Sequence, residues 1–175
     1  MQPASRVVER IKLKFRRTAV IALALSLLVS PVLAKNFAVP DKDPAIIVSI
    51  PNDWDTKEVK YGYEGWSPNK DVYISVEFAA IKNVKAMMEA NQKWMKDTGI
   101  KVNKPIEAET NLNGIAATIY KFETTYKDEP TTVDFIMLPG GKDRVVLLTL
   151  WGNDEERTKH GKAIDSILSS VKAIN

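Results

Sequence analysis

Between Ile106 and Trp151 the chain runs four apolar-rich segments through three tight turns, and nothing else in it restricts the fold as strongly. The first turn is Asn113-Gly114, whose two residues tolerate the positive φ that a two-residue hairpin demands. The second is Lys127-Asp128-Glu129-Pro130 and the third is Pro139-Gly140-Gly141-Lys142-Asp143. Strands joined by connections this short run antiparallel, because a parallel pair needs a crossover of about a dozen residues or more. The segments so delimited are Ile106 to Leu112, Ile115 to Tyr126, Thr131 to Leu138 and Arg144 to Trp151. Within the last, Val145 to Leu150 is apolar on both faces apart from Thr149, which predicts a central strand covered on both sides.

Upstream, Ala45 to Ile50 reads as a short β-branched strand ended by Pro51. Val59, Tyr61 and Tyr63 alternate with Lys60, Gly62 and Glu64, the pattern of one half-exposed strand. Val72, Ile74, Val76 and Phe78 alternate with Asp71, Tyr73, Ser75 and Glu77 in the cleanest period-two run of the chain. The period then changes. Val84, Met87, Met88, Asn91, Trp94 and Met95 form the stripe of an amphipathic helix, with Asn83 as its expected N-cap and Gly99 as its stop. A last helix opens on Asp154-Glu155-Glu156, acids at its positive end, and buries Ala163, Ile164, Ile167, Leu168 and Val171. The expected order is three strands, a helix, four strands and a helix. The fold class is α+β, a mainly antiparallel sheet of six or seven strands with helices packed on it.

The N-terminus carries a different message. Arg6, Arg10, Lys12, Lys14, Arg16 and Arg17 stand against one acid, Glu9, and are followed by the uncharged run Thr18 to Val29, then Pro31 and Val32-Leu33-Ala34. A basic stretch, an apolar stretch and a small terminal residue make a cleavable signal peptide over residues 1–34, with cleavage near Ala34 and export to a periplasmic or extracellular space. An uncleaved anchor is the alternative, and in that case alone does the chain touch a membrane. Arg16-Arg17 leaves twin-arginine export open beside the general route. Residues 35–44, with two prolines, read as a short lead-in, and 45–175 as a single domain.

That division reassigns the charge. The whole chain is +3 at neutral pH, yet the signal segment holds six of its basic residues and only one of its acids. The remainder is −2 and contains just two arginines, Arg144 and Arg157, so no nucleic-acid footprint is expected. The absence of cysteine excludes disulfides, thiolate metal sites and a Cys nucleophile, and the single His160 excludes a multi-histidine site. His160 is expected to pack at the edge of the last helix. The acidic groups Asp41/Asp43, Asp53/Asp55 and Asp154 to Glu156 lack the spacing of a calcium loop. No glycine-rich nucleotide loop or nucleophile elbow occurs. No catalytic residue, metal ligand or cofactor is therefore assigned.

Aromatic residues are what remains. Trp54, Trp94 and Trp151 are expected in the core, and Met87, Met88 and Met95 beneath the first helix. Tyr61, Tyr63, Trp66 and Tyr73 lie in or beside neighbouring strands. If the tyrosines share an outer face, the four make a surface for a partner or an apolar ligand.

The strand ending Ile50-Pro51-x-x-Trp54, the helix after the third strand, the Asn113-Gly114 hairpin into Ala116…Tyr120, and the ending Ile164-Asp165-Ser166-Ile167-Leu168-Ser169-Ser170-Val171-Lys172 together resemble the PsbP-like superfamily. Its members include extrinsic photosystem proteins, small exported bacterial proteins of the DcrB-like kind and a eukaryotic Ran-binding factor. The resemblance spans nearly all of Ala45 to Lys172. It implies an α/β/α sandwich around an antiparallel sheet and carries over no catalytic residue, and the better-known members act by binding other proteins. The expectation is an exported, non-catalytic accessory protein acting through a protein partner in the cell envelope. Two alternatives stand beside it: a carrier of an apolar small molecule in an aromatic-lined cavity, and a hydrolase whose carboxylates meet in space.

Overall fold

The computed structural model describes residues 33–174, and the signal-segment reading of the N-terminus falls almost wholly outside them. Ten strands and three helices follow: β1 (Ala34–Val39), β2 (Ile46–Pro51), β3 (Asp55–Val59), β4 (Gly62–Trp66), β5 (Tyr73–Ala80), α1 (Val84–Thr98), β6 (Ile106–Leu112), β7 (Ile115–Tyr126), β8 (Glu129–Pro139), β9 (Arg144–Gly152), α2 (Asp154–Lys159), α3 (Gly161–Ser170) and β10 (Lys172–Ala173). Seven form one sheet in the order β3-β4-β5-β9-β8-β7-β6, and β1-β2-β10 form a second. Every pairing is antiparallel. The expected α+β architecture is present, and at its centre is β9.

Burial on both faces of β9 explains that position. Val146, Leu148 and Leu150 enter one core with Ile74, Val76, Ile136 and Leu138, closed over by the small sheet (Ile46, Val48, Ile50) and by Ile164 and Ile167 of α3. Leu147 and Trp151 enter the other core with Phe122, Val133, Phe135 and Met95 of α1. The large sheet is thus sandwiched between α1 and a layer built from α3 and the small sheet. The hairpin at Asn113-Gly114 has φ of 54° and 87°, as its residue types require. Asn113 also donates from Nδ2 to the carbonyls of Leu168 (2.7 Å) and Val171 (3.1 Å), pinning the hairpin to the end of α3.

Four local expectations are corrected. The lead-in over residues 35–44 contains β1, which pairs with β2 along its whole length and buries Phe37 and Val39. The strand expected through Val59, Tyr61 and Tyr63 is two strands, with a turn at Lys60-Tyr61. Gly62 makes that turn possible: a Cβ there would stand 1.9 Å from the Val76 carbonyl oxygen, so only glycine admits β5 at this distance. Asn83 precedes α1 without a side-chain cap, whereas Gly99 ends the helix at φ 93° as expected. The last helix is broken in two at His160. Asn153 caps α2 through a reciprocal pair with Glu156, and the restart at Gly161 turns Ile164 and Ile167 into the core.

Candidate functional site

The four aromatic residues singled out above do not share one surface. Tyr63 and Trp66 are three residues apart on β4 and so face opposite sides of the sheet. Tyr63 lies against the small-sheet core, its ring 4.7 Å from Phe37. Trp66 lies on the α1 side and pairs with Tyr73, which is itself buried. Because Tyr63 pairs with Val76, three residues from Tyr73, the two tyrosines are also on opposite faces. Tyr61, in the β3–β4 turn, is 48% exposed and stands edge-on to Phe78. Two concavities, each containing part of the set, take the place of the expected face.

The first is an aromatic pocket at one end of the large sheet. Trp66, Tyr73 and Trp151 form one rung across β4, β5 and β9, and Trp94 of α1 stacks on Tyr73 at 4.8 Å. Trp66 and Tyr126 flank Trp151 from β4 and β7, at 5.6 and 5.2 Å and at 77° and 84° to it. Edge-to-face packing of this kind holds rings rigidly. The Trp151 indole N–H donates to Thr131 Oγ1 at 3.0 Å, which satisfies the buried donor. Trp66, Tyr126 and Trp151 line a pocket of about 240 Å3 that also carries Lys70, Asp71, Glu129 and Glu156.

The second is a groove between β5 and α1. Its last β4 rung pairs Gly62 with Glu77, so β5 runs on past its neighbour. Phe78, Ala79 and Ala80 of β5 and Ala86, Met87 and Ala90 of α1 line about 520 Å3 of open, mainly apolar space, with Tyr61 at its edge. The alanines leave the room. Glu77, Asn83 and Asn91 supply polar groups, Asn91 Nδ2 donating to the Glu77 carboxylate at 3.3 Å. Burial pushes the Glu77 carboxyl above the usual range; the Asn91 hydrogen bond opposes this and the nearby Glu64 charge adds to it. No basic side chain among the described residues pairs with Glu77. Glu64, by contrast, is held by Lys57 at 2.8 Å and by the Tyr73 hydroxyl at 3.2 Å.

The remaining candidates are engaged in local structure. His160 sits at the helix break with Nε2 3.0 Å from Asn69 Oδ1 and its ring edge-on to Trp54. Asp43 is held below the usual carboxylate range by a hydrogen bond from Lys142. Among the described residues no three His, Asp or Glu are placed to share a metal ion. Trp54 and Trp151 are buried, and Trp94 half-buried, as expected of core residues. Glu77 and Tyr126 were missed as site residues. The alternation had placed Glu77 on a strand's outer face, and Tyr126 gave no signal beyond its residue type.

With this geometry in hand, the chain can be set beside solved structures. It superposes on cyanobacterial PsbP (CyanoP) from Synechocystis sp. PCC 6803 with a TM-score of 0.59, covering 83% of this chain and 95% of that one at 10% identity. The fold is PsbP-like. LpqN, involved in cell envelope biogenesis of Mycobacterium tuberculosis, aligns at a TM-score of 0.49 and 17% identity over 81% of this chain and 92% of that one. No protein-family model and no curated protein matches the sequence. At 10% identity the likeness to cyanobacterial PsbP shows the fold alone.

Proposed function

We propose that this is an exported, non-catalytic accessory protein of the cell envelope, and that it engages a protein partner through the β5–α1 groove. The observation that carries this reading is the groove itself: open, mainly apolar, edged by the exposed Tyr61, and bearing in Glu77 a largely buried carboxylate that has no ion-pair partner among the described residues. An apolar segment that brings a Lys or Arg to Glu77 complements it in both shape and charge. The signal-like N-terminus supports export, and the binding habit of proteins with the PsbP-like resemblance supports an accessory role. A hydrolytic reading is less well supported. The groove wall presents Glu77 alone, while Glu64 is neutralised by Lys57 and bonded to Tyr73.

The test is photo-crosslinking in the native envelope, with p-benzoylphenylalanine in place of Tyr61 in the full-length chain. The expected result is a discrete adduct that disappears in Glu77→Lys and in Ala90→Arg but survives substitution of exposed residues elsewhere. An adduct indifferent to both groove variants, or no adduct at all, contradicts the proposal.

A further inference from the structure

The aromatic pocket is distinct from the groove, and we infer that it binds an alkylated ammonium group of the quaternary, choline-like kind. Three features point to this chemistry. Trp66, Tyr126 and Trp151, from β4, β7 and β9, bring aromatic surface from three ring systems to the lining of one small space, and such surface attracts a cation. The residues lining the pocket include three carboxylates, Asp71, Glu129 and Glu156, against one lysine, Lys70. Asp71 is neutralised by Lys159 at 2.7 Å, but Glu129 has no basic partner among the described residues.

The third feature is what the pocket has already used up. The Trp151 N–H is spent on Thr131, and Glu156 Oε2 accepts the Asn153 N–H at 2.7 Å. Beside Lys70, the lining still offers π-surface and the carboxylate of Glu129, which together suit an alkylated ammonium group. The chain shows the same contact within itself, with Lys127 Nζ 4.9 Å from the centroid of the Tyr126 ring. About 240 Å3 accommodates a head group rather than a long chain.

The experiment is a titration of the full-length protein, followed by intrinsic tryptophan fluorescence and calorimetry, with tetramethylammonium, choline and 3,3-dimethylbutan-1-ol. The last is the uncharged carbon analogue of choline. Saturable binding of both cations is expected, with the alcohol at least about tenfold weaker, since shape is kept and only the charge on the rings' partner is lost. Glu129→Gln, a change at an exposed lining residue, is expected to weaken choline a few-fold without altering the melting temperature. Trp66→Leu is expected to abolish saturation, and Trp66→Phe to restore part of it. Phosphatidylcholine vesicles distinguish the source: sedimentation with vesicles that free choline reverses marks a lipid head group, and choline binding without sedimentation marks a free solute. Equal affinity for the alcohol overturns the inference, as does failure of both cations to saturate or vesicle binding that choline does not reverse. A negative titration leaves the groove crosslink standing, and a negative crosslink leaves the titration standing.

Discussion

Asn91 ties helix α1 to the sheet through a carboxylate, its Nδ2 donating to Glu77 at 3.3 Å while its Oδ1 lies 3.5 Å from the Thr149 hydroxyl. The amide thus bridges β5 and β9 from the one turn of α1 that is buried there. Because burial raises the Glu77 pKa, the folded state holds this proton more tightly than the unfolded chain does. Stability through this group is therefore greatest at acid pH and falls as pH rises through the folded pKa. Glu77→Gln keeps an acceptor for Asn91 and removes the charge. It is expected to raise the melting temperature at pH 7, with the gain shrinking toward zero below about pH 4, where glutamate is protonated in both states. Thermal unfolding from pH 4 to 8 checks this, and a gain independent of pH contradicts it.

Arg157 makes the opposite kind of contact. Its guanidinium donates to Asp134 at 2.7 Å and to the carbonyls of Thr132, Leu150 and Gly152, tying α2 across β8 and β9. Both partners are mostly buried, with side chains 19% and 11% exposed. Arg157→Met leaves Asp134, whose Oδ1 has no hydrogen-bond partner, as an uncompensated charge. A loss of about 3 kcal/mol is expected in urea unfolding. The double change Arg157→Met with Asp134→Leu is expected to recover much of it, and a double mutant worse than the single one contradicts the account.

A side chain at Gly114 meets conformational strain alone, and at Gly62, where φ is 154°, steric exclusion is added to it. At Gly114 a Cβ meets nothing within 4 Å and φ is 87°, so Gly114→Ala is expected to cost about 1 kcal/mol from backbone strain alone. At Gly62 the added Cβ collides with the Val76 backbone, and Gly62→Ala is expected to cost at least about 3 kcal/mol as β4 is pushed from β5. Equal effects at the two positions contradict this picture.

The export proposal has its own test. Leu33 is exposed, and its carbonyl accepts the Asn52 N–H at 2.8 Å, while the buried residues of β1 begin at Phe37. Cleavage after Ala34 therefore removes the Leu33–Asn52 bond and the first residue of β1, which pairs with Pro51, and keeps the buried part of the strand. Mass spectrometry of the protein from its native host is expected to give a start at Lys35 or a near neighbour. An intact N-terminus contradicts cleavage.

What the sequence revealed depended on whether a signal was local. The Asn113-Gly114 hairpin, the β8–β9 turn, the stop at Gly99 and the doubly buried β9 are each written in a handful of adjacent residues, and each is found where it was read. β1 was hidden because its two core residues are flanked by Lys35, Asn36, Asp41 and Lys42, and its partner β2 is reached only through a loop. The β3–β4 turn was hidden because Lys60 and Tyr61 are not turn residues by type, and the alternation runs straight across them. The shared tyrosine face failed on register. Side-chain parity within β4 separates Tyr63 from Trp66, but the offset between β4 and β5 that separates Tyr63 from Tyr73 is a tertiary fact. Both concavities join side chains brought together by sheet order or helix docking, so neither was legible from spacing.

The most direct test of partner binding through the groove is methyl NMR of the protein labelled at alanine and methionine, titrated with the partner segment recovered from the crosslink at position 61 as a synthetic peptide. The account predicts shifts concentrated at Ala79, Ala80, Ala86, Met87 and Ala90, lost when Glu77 is changed to Lys. Shifts centred on Ala117 or Ala163 of the opposite core, or a spectrum unmoved at saturating peptide, contradict it.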